Sequence, residues 1–224
     1  HFFEKPRLEK LATETNAYNQ QARIIKEQGK QAAIVSVIGR DEAISKDSRI
    51  TVSSELLSGS IALKGLRFDD LTLKQYHQEL DENSPPVALF SPSNSDKAYF
   101  AEIGWWSKDT TITYPNASTN WKTDNNVLNA GGTVNLHWNS PENVKFKVAI
   151  TLDENYLFTI KQSTENNSSR PISTKYYGLI NRVYEETADR MVNILHQGMI
   201  GAVANELKEY SYDNIKDEKK EMIF

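Results

Sequence analysis

Val144-Lys145-Phe146-Lys147-Val148-Ala149-Ile150-Thr151-Leu152 is the stretch that decides the fold. Val144, Phe146, Val148, Ile150 and Leu152 take every second position. A period of two puts them all on one side of an extended chain, whereas a helix would need apolar residues three and four apart. Asp153-Glu154-Asn155 then supplies turn residues, and Tyr156, Phe158 and Ile160 resume the alternation. Val144 to Ser163 therefore reads as a β-hairpin.

Outward from this hairpin the pattern repeats. Toward the N-terminus, strands are predicted at Thr133–Trp138 after Gly131-Gly132, and at the aromatic run Tyr99–Trp106. Val87–Phe90 follows Pro85-Pro86, a pair that no helix would cross. Phe68–Leu73, Ser60–Lys64 and Arg49–Ser53 precede it. Toward the C-terminus, Asn166-Asn167-Ser168-Ser169 makes a turn, and Ile172–Asn181, Val192–His196 and Leu207–Tyr212 read as strands. Strands about ten residues apart with turn clusters between them predict an all-β antiparallel sandwich or barrel. No helix-length apolar periodicity separates them, which disfavours parallel βαβ units. Residues 8–31 carry only a thin apolar stripe (Leu8, Leu11, Ala17, Ala22, Ile24, Ile25) and predict a solvated helix or a disordered linker.

The 224 residues are 38% hydrophobic and 25% charged, enough apolar material for a packed core. Lys and Arg number 26 against 30 Asp and Glu, so no basic excess exists to neutralise phosphates and a general nucleic-acid binder is disfavoured. Cysteine is absent, which removes disulfides, thiolate catalysis and Cys-based zinc sites together and suits the bacterial periplasm as it does many cytosolic chains. No window reaches the ~18 consecutive apolar residues of a membrane-spanning helix. The start, His1-Phe2-Phe3-Glu4-Lys5-Pro6-Arg7, has neither an initiator Met nor a signal-peptide layout, and predicts a piece of a longer chain.

The residues that carry chemistry elsewhere are sparse here. His1, His77, His137 and His196 form no H-x-x-x-H pair and read as structural or surface residues. No G-x-S-x-G is present, and Ser58-Gly59-Ser60 reads as a turn. Gly198-Met199-Ile200-Gly201 lacks the Lys-Ser/Thr of a phosphate-binding loop. Asp69-Asp70 is the one carboxylate pair. Neighbours on a strand face opposite sides, so the pair reads as a solvated edge or turn that cannot converge on a substrate. Trp105-Trp106, Trp121 and Trp138 could stack on sugar rings, but core or edge packing is the plainer reading, with at most one of Trp105 and Trp106 in the core. No catalytic, cofactor or metal residue is assigned.

Several stretches resemble the periplasmic domain of the YidC/Oxa/Alb family of membrane protein insertases, in its alphaproteobacterial form. They are Arg49-Ile50-Thr51-Val52, Leu57 to Leu71 (LSGSIALKGLRFDDL), Tyr76, Ser84 to Pro92 (SPPVALFSP) and Tyr99 to Trp105 (YFAEIGW). Asn155 to Ile160 (NYLFTI), Tyr177 to Ile180 (YGLI), His196 to Gly201 (HQGMIG) and Lys208 to Tyr212 (KEYSY) follow in the family's order. Phe2 to Pro6 (FFEKP) resembles the segment after the first transmembrane helix of such proteins.

The resemblance implies an antiparallel β super-sandwich like that of galactose mutarotase over residues 48–224, with residues 1–47 as a membrane-proximal linker, partly helical or disordered. It implies a parent anchored in the bacterial inner membrane as a multi-pass protein, whose membrane portion inserts and folds nascent inner-membrane proteins, alone or with the Sec translocon. The domain would be a docking accessory on the periplasmic face. SecF is the implied partner, in a segment near Gly178 to Lys220. There the mixture of charge and aromatics singles out Lys208, Glu209, Tyr210, Tyr212 and Asp213 as contact residues. The plainer reading of that tail is an amphipathic edge strand with a charged coil. Family domains also continue beyond the point matching Phe224, which implies further strands and an open edge here. Neither cofactor nor enzymatic activity is implied. The alternative, a carbohydrate-binding or mutarotase-like protein, would require exposed Trp beside carboxylates and a His in a concave site. A spacer with no partner is a third possibility.

Overall fold

A computed structural model of the chain describes residues 39–81, 83–95, 97–183, 198–203 and 206–212. The expectations for residues 8–31 and Val192–His196 fall outside these residues. The chain divides into two units, one of residues 31–184, the other of residues 1–30 with 185–224.

The larger unit opens with a short helix, α1 (Arg40–Ser45), followed by strands β1 (Arg49–Ser53), β2 (Leu57–Ala62), β3 (Arg67–His77), β4 (Pro86–Phe90) and β5 (Tyr99–Trp106). Two short strands, β6 (Lys122–Thr123) and β7 (Val127–Asn129), precede β8 (Thr133–Asn139), β9 (Val144–Leu152), β10 (Phe158–Asn166) and β11 (Lys175–Arg182). The large sheet runs β11-β5-β3-β2-β1-β7, with β4 also paired to β3, and the small sheet runs β10-β9-β8-β6. All pairings in this unit are antiparallel except β1 with β7. The antiparallel two-sheet reading is the observed architecture.

β9 alternates buried and half-buried residues along its whole length, as its sequence dictates. Its apolar side meets Ile50, Val52, Leu57, Ile61, Phe68 and Leu71 of the large sheet in one core. Trp105 enters that core and stacks on Trp121 with ring centroids 5.8 Å apart. The β9–β10 hairpin pairs Leu152 with Phe158 and Val144 with Asn166. Asp153 shapes its turn by accepting hydrogen bonds from the backbone N–H of Asn155 and Leu157, at 2.7 and 2.8 Å. Tyr156 does not continue the alternation. It sits in that turn with φ at 72°, a left-handed conformation rare for a bulky side chain.

Two further expectations change. Ser58-Gly59-Ser60 is not a turn but the middle of β2, and Ile172 precedes a strand that starts at Lys175. The small sheet spans fewer strands than the large one, so the core-facing side of edge strand β11 stays partly open. Tyr176 and Ile180, which pair with core-side Trp105 and Ala101, are 54% and 59% exposed.

The described part of the second unit is one antiparallel hairpin of β12 (Gly198–Val203) and β13 (Glu206–Ser211).

Candidate functional site

An apolar cleft of about 470 Å³ lies between the two sheets of the larger unit. Leu57, Phe68, Leu71, Leu73 and Tyr76 of β2 and β3 line one wall, with Leu89, Phe90, Ala101 and Ile103 of β4 and β5. Tyr156, Phe158 and Ile160 from the β9–β10 hairpin close it, and Phe158 meets Phe68 edge to face at 5.4 Å. The cleft exists because Phe158 and Ile160 face inward from β10, the last strand of the small sheet, while the large sheet continues beneath them. Its lining contains no carboxylate, histidine, lysine or arginine. Such a surface can seat apolar groups, with the Tyr76 and Tyr156 hydroxyls as its polar side-chain groups. Sequence reading missed the cleft, because facing positions on six segments only become neighbours once the sheets are stacked.

Asp69-Asp70 corrects the expectation of a solvated edge. Both residues are buried, at 5% and 7% exposure. The β2–β3 register shifts here, with Ser60 paired to Asp70 and Ile61 to Phe68, so Asp69 is the bulged residue of β3. Phe68 and Leu71 both enter the core three positions apart, so the two aspartates between them share the opposite face. Arg49 pairs with Asp69, and Arg40 with Asp70. Ser60 joins the pairs: its hydroxyl accepts from Arg49 Nε at 2.6 Å and donates to Asp70 Oδ2 at 2.6 Å. Burial raises the Asp69 pKa above the ordinary carboxylate value, against the opposing pull of Arg49. The charges thus satisfy one another in a structural network. A second pair, Arg67 with Glu102 at 3.0 Å, lies beside Tyr177, whose hydroxyl burial and the Glu102 charge push up to about 12.

The tryptophans pack as the plainer reading expects. Trp105 and Trp121 are buried, and Trp106, on the other face of β5, is half-buried under the Lys175 ammonium. His77 Nδ1 lies 2.7 Å from the Ser84 carbonyl oxygen. Among the described residues, no group of three or more His, Asp or Glu side chains comes together as a metal site. None of their helices is long and apolar enough to cross a membrane.

Four of the five residues singled out for partner contact lie on or beside the β12–β13 hairpin, and Asp213 falls outside the described residues. Pairing divides them. Tyr210 opposite Met199 and Lys208 opposite Gly201 share one face, while Glu209 opposite Ile200 shares the other with Leu207 opposite Ala202. Tyr212 follows the last β13 residue. Lys208 contacts Glu206 Oε2 at 2.5 Å. Met199, Ile200 and Leu207 are 53%, 60% and 67% exposed, so this hairpin presents apolar groups on both faces. Sequence reading passed over Met199 and Ile200 because flanking glycines hide a short strand.

The larger unit is thus an antiparallel β-sandwich domain with an apolar cleft and an internally neutralised charge network. Residues 49–223 match the family described as the YidC periplasmic domain, and the chain belongs to that family. It is 56% identical over 177 residues to the membrane protein insertase YidC of Rickettsia bellii (strain OSU 85-389), covering 79% of this chain and 32% of that protein. The membrane protein insertase YidC of Rickettsia africae (strain ESF-5) is 49% identical over 205 residues, which cover 90% of this chain and 36% of that protein. The chain therefore spans about a third of the length of the curated relatives it matches.

Proposed function

We propose that this chain is the periplasmic accessory body of a larger, multi-pass inner-membrane insertase, with residues 1–47 as its tether and 48–224 as the body. The parent's membrane portion would receive nascent inner-membrane proteins, alone or with the Sec translocon, while this domain docks a partner and makes or breaks no bonds. The observation that carries the reading is the 56% identity to an insertase over 177 residues. The cleft supports the binding role, because its lining is mostly apolar and holds no carboxylate or imidazole. For the carbohydrate alternative, Trp105 and Trp121 are spent inside the core and Trp106 and Trp138 are half-buried.

SecF is the proposed partner, met by the hairpin through Lys208, Glu209, Tyr210 and Tyr212, with Asp213 beyond it. The test is capture of purified SecF by the immobilised full chain. Wild type should retain SecF, and the Tyr210→Ala/Tyr212→Ala double variant should retain at least about tenfold less, the loss expected when aromatic anchors leave an interface. Equal capture by both would discard these residues. No capture by wild type would discard the partner.

A further inference from the structure

We propose that α1 is a charge-locked strap: Arg40, seated on the carboxylates that the β2–β3 bulge gathers, fastens residues 39–47 to the outer face of the large sheet. Residues 39–47 then move as part of the β body, and the residue 47/48 boundary is not a hinge.

The helix has only six residues, too few to persist in water by hydrogen bonding alone. The Ala43 N–H donates to the Gly39 carbonyl at 3.0 Å, the Ser45 hydroxyl donates to the Glu42 carbonyl at 2.8 Å, and Lys46 meets Glu42 at 3.1 Å on the exposed side. Yet Ala43 is only 4% exposed. The attachment is the ion pair of Arg40 with Asp70, whose side chains are 28% and 10% exposed. Asp70 is itself fixed from behind by the Ser60 hydroxyl, which Arg49 orients. Without Arg40, the network would keep two carboxylates against one guanidinium, an imbalance that is costly at this depth. The helix therefore completes the charge balance of the sheet, and the sheet supplies the order that six residues lack. At the other end, the Leu63 N–H donates to the Ser48 carbonyl at 2.9 Å, which continues the fastening into β1.

Amide hydrogen exchange on the full chain reads this directly. Arg40→Gln should speed exchange of the Ala43 amide about tenfold or more, the loss expected for a charge-assisted bond to a buried carboxylate. Val148 and Ile150 in β9 should change by less than about threefold, because the strap opens as a local unit. Lys46→Gln, which removes only the exposed pair on the same helix, should leave Ala43 nearly unchanged. Asp70→Asn should reproduce the Arg40→Gln pattern if the sheet survives it. The proposal is overturned if Ala43 exchange is unaltered in Arg40→Gln. It is equally overturned if α1 and β9 accelerate together, or if Lys46→Gln loosens α1 as much as Arg40→Gln does.

Discussion

Three aromatic rings close on Phe146. Trp105 meets it edge-on at 5.2 Å, Tyr114 at 5.6 Å and Trp138 at 5.8 Å, and the side chain is wholly buried. These rings come from loops and strands of both sheets, so the cavity left by truncation could not collapse cheaply. Phe146→Ala should cost about 3–5 kcal/mol of stability, read from urea unfolding followed by Trp fluorescence. A cost below about 1 kcal/mol would show that the ring fills no essential space. This position was legible in the sequence, since it falls on the beat of β9. So was the division of Trp105 from Trp106, because adjacent strand residues part company. Asp69 and Asp70 were not legible. The same parity rule separated them, and only a bulge in the pairing, invisible in one strand's sequence, returned them to one face.

At the scale of the element, that bulge depends on Gly59. Its φ of 139° lies where side chains are disfavoured, and a Cβ placed there would collide with the Asp70 carbonyl oxygen. Gly59→Ala should cost about 2 kcal/mol or more through backbone strain and loss of β2–β3 register, measured as a fall in the urea midpoint. Ser58→Ala beside it should be nearly silent. Equal effects from the two would show that the strand tolerates a side chain at the bulge. Strands with several periods of alternation were read from sequence, Val144–Leu152 to the residue. β6, β7 and α1 escaped because two, three and six residues are too short to show a period. β12 escaped for a different reason: Gly198 and Gly201 remove the branched side chains that announce a strand. The contact residues on β13 were chosen for composition, and pairing then put Glu209 on the face opposite Lys208 and Tyr210.

Across the whole molecule, two populations of carboxylates pull stability in opposite directions with pH. Asp109, Asp124, Glu142 and Glu165 are held below their ordinary pKa values by hydrogen bonds from Thr111, Asn135, Thr113 and Lys147. Their stabilisation is present above the ordinary values of 3.8 and 4.5 and is lost as pH falls through the lowered ones. Asp69 behaves oppositely. Burial raises its pKa from 3.8, despite Arg49 and Arg67 nearby and with the Asp70 charge adding to the rise. Between 3.8 and that raised value the folded chain holds a proton that the unfolded chain has released. Its contribution therefore grows as pH falls into this window and fades as pH rises out of it. Urea midpoints measured from pH 7 downward should first level or rise above pH 3.8 and then drop. Asp69→Asn should erase the early levelling, so that the decline begins sooner. Curves for wild type and Asp69→Asn that stay parallel throughout would mean that Asp69 exchanges no proton on folding, and that its pairing with Arg49 fully offsets its burial.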